Sequence, residues 1–335
     1  MRSADRVDSV TMEDVALRAG VSRALVSIVF RGVPGASAAT RERVMQTAEQ
    51  LGYRPDQRAR LLGSRRSRTI GVVFGLRHEF HTELVDQLYR KVDTSDYDLA
   101  LGAATPARTE TRAAQSLLDY RCEALILVGP SLTRAAIDEL AERVPVVVVA
   151  RAMRSRVFDV VRTDDVAGAV LAVEHLADLG HRSIAHVDGQ RAPGATERRR
   201  GYRQAMRERS LESHIQFVPG GLTEDDGDHA AAQLQTASPP TAVTAFNDRC
   251  GVGLMTAARC LGLTVPGDLS IVGYDDSHIA GLPSIALTTI AQDAATLAGS
   301  ALARALARAE DGRQEAIETV VMPTLVVRSS TSSPL

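Results

Sequence analysis

The sequence predicts an all-α helix-turn-helix head followed by an α/β body of two lobes, each a Rossmann-like parallel sheet covered by helices. Three observations predict it. Residues 10–51 carry capped segments with apolar side chains at helical spacing. From residue 70 apolar strands alternate with amphipathic helices, and that alternation restarts near residue 166. The charge is also divided along the chain. Through Thr69 there are 13 arginines and no lysine against seven acids, whereas the other 26 of the 39 basic residues face 34 of the 41 acids. The overall balance of −2 therefore hides a head of +6 on a body of −8. A cationic head is the electrostatic footprint of phosphate contact, and an acidic body stays off a polyanion.

The head is read element by element. Residues 1–9 are polar and expected to be disordered. Thr11 supplies a capping hydroxyl, Glu13 and Asp14 acidify the first turn, and Val15, Ala16 and Ala19 fall on one helical face. Gly20 ends that helix, because glycine reaches the left-handed conformation without a Cβ clash. Ser22 caps a second helix whose Val26, Val29 and Phe30 face inward. Its other face presents Ala24, Ser27, Ile28 and Arg31, with Arg23 at the edge of the first turn, as a helix entering a major groove would. Ser37 caps a third helix over 38–51, closed by Gly52 and followed by Pro55. The stretch Gln57-Arg58-Ala59-Arg60-Leu61-Leu62-Gly63-Ser64 holds about two helical turns, a length that is marginal alone. It is expected to order on DNA and against its twin. The predicted limits are 10–56 for the DNA-binding domain, 57–69 for the hinge and 70–335 for the body.

In the body, Ile70-Gly71-Val72-Val73-Phe74, Leu99-Ala100-Leu101, Ala124-Leu125-Ile126-Leu127-Val128 and Val146-Val147-Val148-Val149 read as buried strands, with helices near 83–92, 108–120 and 134–143. A second series places helices at 166–179, 197–209 and 248–261 among strands at 184–187, 242–246 and 269–274. A long alanine-rich helix near 294–309 precedes a last strand near 324–327. Continuous apolar strands between amphipathic helices indicate parallel sheets covered on both faces. The expected lobes are about 70–165 with 293–319, and about 166–292 with 320–330. A cleft between them gathers loops from strand carboxyl ends, where small molecules bind.

Bulk properties exclude other classes. A chain of 335 residues fits two or three compact units, and 44% hydrophobic content is that of a globular protein. No apolar run approaches the roughly 20 residues of a membrane helix, and the amino terminus does not open as a secretion signal. The chain is read as cytoplasmic. Its three cysteines form no C-x-x-C pair, and His78 and His81 lack the i, i+4 spacing of a helical zinc pair, so neither metal nor cofactor is expected. Gly251-Val252-Gly253 lacks the third glycine of a dinucleotide site, and no nucleophile is paired with a base. An enzyme is not predicted, and a transport binding protein would need the missing signal and not the cationic head.

Motifs along nearly the whole chain add to this. They are Met12-Glu13-Asp14-Val15-Ala16 with Ala19-Gly20-Val21-Ser22, Thr40-Arg41-Glu42-Arg43-Val44, and Leu51-Gly52-Tyr53-Arg54-Pro55. Thr163-Asp164-Asp165, Leu179-Gly180-His181-Arg182, Phe246-Asn247-Asp248, Val272-Gly273-Tyr274-Asp275-Asp276 and Leu287-Thr288-Thr289-Ile290 follow in order. Together they resemble the lactose-repressor (LacI/GalR) family of bacterial transcription regulators. The resemblance implies a periplasmic-binding-protein-like body, a homodimer on a near-palindromic operator, and a small effector in the cleft that sets operator affinity. It implies repression more than activation, and a hinge leucine, here Leu62 beside Arg58 and Arg60, wedged into the minor groove. The end of the chain at Leu335, without an appended heptad helix, is read as dimeric rather than tetrameric.

The recognition helix departs from the family pattern. Leu25-Val26-Ser27-Ile28 stands where Thr-Val-Ser-Arg is usual, and Phe30-Arg31 replaces a common leucine and asparagine. Isoleucine cannot read guanine through two hydrogen bonds, but it can pack on a thymine methyl. Arg23, Ala24, Ser27 and Ile28 are therefore the expected base readers, with Ile28 on an A·T pair. Thr11, Ser22, Arg31, Tyr53 and Arg54 are assigned to phosphates or to positioning the helices. For the effector, Arg198, Asn247 and Asp275 match the family's ligand positions, and each suits a polyol. Arg151 follows a strand end, and Phe80 and His81 are expected in the loop after the first strand. A sugar-like effector is the expectation. The arginines at 151, 191 and 198 leave open an acidic or phosphorylated metabolite, and control by a protein partner is a further alternative.

Overall fold

The computed structural model describes residues 10–30, 32–53, 66–235, 238–312 and 315–334. The expectations for residues 1–9, Arg31, Arg54 and the hinge residues Arg58, Arg60 and Leu62 fall outside these. The chain divides into two units, residues 1–67 and 68–335.

The first unit holds α1 (Met12–Ala19), α2 (Arg23–Phe30) and α3 (Ala38–Leu51). Thr11 and Asp14 form a reciprocal capping box, in which Asp14 N–H donates to Thr11 Oγ1 at 3.3 Å and Thr11 N–H to Asp14 Oδ2 at 2.7 Å. The Thr11 hydroxyl, which donates to Asp14 Oδ2 at 2.7 Å, and the Thr11 N–H together hold the Asp14 carboxyl below its ordinary range. Gly20 and Gly52 close α1 and α3 in the left-handed region, with φ of 65° and 66°. Ser37 caps α3 through Thr40 N–H at 3.2 Å. The three helices bury Val15, Ala16, Ala19, Val26, Val29, Val44 and Ala48 against one another. Phe30 meets Tyr53 edge-on at 5.4 Å, tying the end of α2 to the second residue beyond α3.

The second unit starts with β1 (Thr69–Gly75), α4 (Glu79–Val92), β2 (Asp98–Ala104), α5 (Glu110–Asp119), β3 (Ala124–Val128), α6 (Arg134–Arg143), β4 (Val146–Val149) and β5 (Asp159–Thr163). It continues through α7 (Asp165–Asp178), β6 (Ile184–Asp188), α8 (Ala195–Glu208), β7 (Gln216–Pro219), α9 (Glu224–Leu234), β8 (Ala242–Ala245), α10 (Asp248–Cys260) and β9 (Ser270–Asp275). The short α11 (His278–Gly281), β10 (Thr288–Ala291), α12 (Ala294–Asp311), β11 (Glu318–Val321) and β12 (Thr324–Val326) complete it.

Two six-stranded sheets result, ordered β11-β5-β4-β3-β1-β2 and β12-β10-β9-β8-β6-β7. All pairs are parallel, as expected, except β10–β12, where the last strand adds antiparallel at the edge of the second sheet. Strand residues alternate between two cores, as the pleat requires. Ile70, Val72 and Ile126 face the core shared with α4 and α12, whereas Val73, Leu125 and Leu127 face α5 and α6. The second sheet divides in the same way, with Val243 and Ile271 on one side and Ala242 and Val272 on the other. The chain passes from sheet to sheet after Thr163, after Ala291 and after Val321. Those passages are tied together by Thr163 Oγ–H donating to Gln292 Oε1 at 2.7 Å and Asp164 N–H donating to the Val321 carbonyl at 3.0 Å.

Strand order reverses between β2-β1 and β3 in the first sheet and between β7-β6 and β8 in the second. Loops at such switch points diverge and leave a crevice outside the strand carboxyl ends.

Candidate functional site

On α2, Arg23 and Ala24 are exposed, whereas Ser27 and Ile28 are half-buried. Ile28 rests over the turn after its helix, since a Cβ on Gly35 would lie 3.4 Å from its Cγ2. Thr11 caps α1, and Ser22 Oγ accepts from Leu25 N–H at 3.2 Å, so both hydroxyls hold helix starts in place. Tyr53 is half-buried.

The cleft of the second unit has a cavity of about 160 Å³. Its walls come from both sheets. Gly75, Gly129 and Ala150 follow or end β1, β3 and β4, while Phe246, Asn247 and Asp275 do the same for β8 and β9. Arg198 is its electrostatic centre and is itself buried. Nε–H donates to Asp165 Oδ1 at 2.9 Å and Nη1–H to the Phe246 carbonyl at 2.5 Å, with Nη2 3.8 Å from Asp275 Oδ1. The guanidinium carbon lies 3.5 Å from the centroid of the Tyr274 ring and 4.6 Å from that of Phe246, so the cation is held by π faces as well as by carboxylates. Asp275 sits at a left-handed φ of 112° and accepts from Gln292 Nε2–H at 2.7 Å. Burial pushes its carboxyl up, against the pull of Arg198 and Gln292.

Asn247 lines the cleft and also caps α10. Its Oδ1 accepts from Cys250 N–H at 2.9 Å and its Nδ2–H donates to the Leu222 carbonyl at 3.1 Å. One amide hydrogen and one lone pair remain for a ligand. Capping of α10 therefore belongs to Asn247, and Asp248 is the first residue of the helix. Asp248 is buried beneath Asn247, accepting from Ser277 N–H at 2.7 Å, from Ser277 Oγ–H at 2.9 Å and from Thr289 Oγ–H at 2.5 Å. Burial, reinforced by the Asp275 carboxylate, raises its pKa.

Phe80 and His81 lie on the first turn of α4 rather than in a loop. Phe80 touches the cleft but is only 6% exposed and belongs to the core under the first sheet. His81 Nδ1 accepts from Gly75 N–H at 3.1 Å, and its ring stacks on His78 at 4.5 Å. Burial pushes its pKa down to about 3, so the imidazole is neutral. Arg151 is not among the cleft-lining residues. Its Nη1 donates to the Pro130 and Leu132 carbonyls at 2.5 and 2.8 Å, fixing the loop after β3.

The structure adds residues that no motif singled out. Glu110 accepts from Ser131 N–H at 2.9 Å and Leu132 N–H at 3.1 Å. Arg249 grips Glu224 with Nε and Nη2 at 2.8 and 2.5 Å, and Nη1 donates across the cleft to the Arg77 carbonyl at 2.7 Å. Its arginine after Asn-Asp was visible, but Glu224 lies 25 residues away, and nothing local connects them. Among the described residues, no group of His, Cys, Asp or Glu is arranged to hold a metal, and no helix is long and apolar enough to cross a membrane.

Fold and site thus define a helix-turn-helix regulator with a two-lobed ligand-binding body. Residues 11–56 match the bacterial regulatory proteins of the lacI family, and residues 173–331 match the periplasmic binding protein-like domain. The chain belongs to the LacI family. It is 31% identical over 333 residues to the transcriptional regulator DegA of Bacillus subtilis, covering 96% of this chain and 98% of that one. A LacI transcriptional regulator from a Rhodococcus species is 45% identical with a TM-score of 0.77, over 79% of this chain and 98% of that one. The Lac repressor dimer bound to operator and the anti-inducer ONPF is 26% identical with a TM-score of 0.83, over 97% and 100%. A LacI-family regulator from Enterococcus faecium with bound ribose is 26% identical with a TM-score of 0.72, over 79% and 99%. The chain is a DNA-binding transcriptional regulator and not an enzyme.

Proposed function

We propose that this regulator is a repressor that binds a near-palindromic operator as a homodimer, and that a neutral sugar-like effector in the inter-lobe cleft sets its operator affinity. The charge balance of the cleft carries the effector reading. Arg198 is matched by Asp165 and Asp275, and Arg249 by Glu224. Arg151, which would have favoured an acidic metabolite, is spent on backbone carbonyls. Arg77 and Arg191 also line the cleft without an ion pair among the described residues, so its four arginines face the four carboxyl groups of Glu79, Glu110, Asp248 and Asp275 and the formal charges cancel. That balance, with the hydrogen-bonding capacity left on Asn247, suits hydroxyl groups better than phosphate or carboxylate. The ribose-bound and operator-bound relatives support the same reading.

On DNA, Arg23 and Ala24 read bases, Ser27 and Ile28 approach the groove floor, and Ile28 meets an A·T pair. Thr11, Ser22, Arg31, Tyr53 and Arg54 hold helices or phosphates, and Arg58, Arg60 and Leu62 occupy the minor groove. Effector binding to one of two body arrangements shifts the population competent for DNA. A thermal-shift screen of sugars, nucleosides and organic acids on the full-length protein tests the effector class. A rise in melting temperature with neutral sugars supports it. A rise only with phosphorylated or carboxylated compounds, or only with a protein partner, replaces it.

A further inference from the structure

The chain enters the second unit through a strained residue. Arg68 is left-handed, with φ of 49°, although it carries a Cβ and lies exposed at the surface. Such a backbone costs free energy in any residue but glycine and persists only where its surroundings hold it. Arg68 is held at three points. Its N–H donates to Glu123 Oε1 at 2.9 Å, its carbonyl accepts from Asp98 N–H at 2.9 Å, and its Nη1–H donates to Asp96 Oδ2 at 2.8 Å. The Arg68–Asp96 pair is 57% and 83% exposed and therefore contributes little, so the two backbone bonds do most of the holding.

Glu123 is the centre of this clasp. Its other oxygen accepts from the Tyr97 hydroxyl at 3.3 Å, and its own N–H donates to the Thr69 carbonyl at 2.8 Å. The turn that presents it is fixed as well. After α5, Arg121 is left-handed with φ of 60°, and the buried Cys122 donates its N–H to the Leu117 carbonyl at 3.2 Å. The clasp gathers the amino ends of β1, β2 and β3, where Thr69 is level with Asp98 and Ile70 with Ala124. The cleft lies at the carboxyl ends of these parallel strands, and the seven residues of β1 separate the two by about 20 Å. Effector contact therefore does not account for the strain at Arg68. Its place in the chain does, because residue 68 ends the stretch that joins the helix-turn-helix to the body. A fixed backbone there fixes the direction in which the linker sets out, and two heads must reach half-sites a set distance apart. Freedom at that exit would have to be given up on binding.

We infer that Glu123 and Arg68 are positioning residues for operator binding, and that their clasp sets the half-site spacing the dimer accepts by fixing how the linker leaves the body. This rests on the homodimer reading above and extends it to residues outside both the cleft and the DNA-binding domain. A duplex selected from random DNA by the full-length protein is remade with one base pair inserted or removed between its half-sites, a change of about 3.4 Å in their separation. Fluorescence anisotropy then gives the affinity for each spacing. The parent should prefer the selected spacing about tenfold or more, within the range that one altered base pair costs. Glu123→Ala removes both acceptors and Arg68→Gly releases the backbone, so each should bring that ratio close to one. Each variant is assayed well below its own melting temperature, and Arg68→Gly, at an exposed position, decides the matter if Glu123→Ala does not fold. A ratio that Arg68→Gly or a folded Glu123→Ala leaves at the parent's value, or a parent indifferent to spacing, overturns the clasp and spares the homodimer. A parent that selects no paired half-sites overturns both.

Discussion

Replacing Arg198 by methionine keeps most of the side-chain volume and removes one charge from the centre of the body. Asp165 loses its 2.9 Å partner, Asp275 its cation at 3.8 Å, and the Phe246 carbonyl its donor; Asp165 and Phe246 are buried, and the Asp275 side chain is only 13% exposed. Breaking a buried ion pair from one side costs about 3–5 kcal/mol, most of it the penalty of stranded carboxylates. At roughly 2–4 °C per kcal/mol for a domain of this size, Arg198→Met should melt about 6–20 °C below the parent. The sign of the pH dependence follows from Asp275. Its folded pKa is raised by burial and held down by Arg198, so removing the arginine raises it further. Where both forms keep the proton the charge no longer matters, and the deficit should be smaller near about pH 5.5 than near about pH 8. Circular dichroism melts of parent and variant at both pH values measure this, and adding Asp275→Asn should recover part of the loss. A variant melting within about a degree of the parent near pH 8 would refute the buried-charge account.

Three further outcomes are expected. Arg23→Ala should weaken binding to a selected operator by about 1–3 kcal/mol and relax the preference at one base position, whereas Ile28→Arg should introduce a demand for guanine in the half-site; selection from random duplexes reads both. The Asp248 carboxyl is raised above its unfolded value, so it costs stability as pH rises from about 4 through its folded value of about 8, and Asp248→Asn should flatten that slope in urea titrations. Arg151→Gln should lower stability by about 1–3 kcal/mol through the orphaned carbonyls of Pro130 and Leu132, and change monosaccharide affinity less than Arg198→Lys does.

Much of this fold is legible because its signals are local. Thr11, Ser37, Gly20 and Gly52 mark helix ends with chemistry that acts within four residues, and the apolar runs at 124–128 and 146–149 appear as strands at those limits. What escaped depends on distant partners. β5 holds only Val160 and Val161 as an apolar pair, and its Asp159 is tolerated at zero exposure because Arg308, 149 residues later, bonds both carboxylate oxygens at 2.8 Å. The edge strands β7 and β11 are short and half-exposed, so neither alternation nor a continuous run announces them. The Glu224-Asp225-Asp226-Gly227 start of α9 reads as a solvated loop until Asp226 is seen completing a capping box with Thr223. At the site, Arg198, Asn247 and Asp275 were assigned to the cleft through their match to the family's ligand positions, but the direction of Arg151 and the burial of Phe80 are set by packing that no motif encodes.

Coupling between the cleft and DNA is the central claim, and linkage offers its most direct test. Affinity for a selected operator should be measured by fluorescence anisotropy with and without saturating effector, and effector affinity by calorimetry with and without saturating operator. The two ratios must agree and are expected to lie at about 5–150-fold. An effector that binds the free and the operator-bound protein equally well would contradict the account.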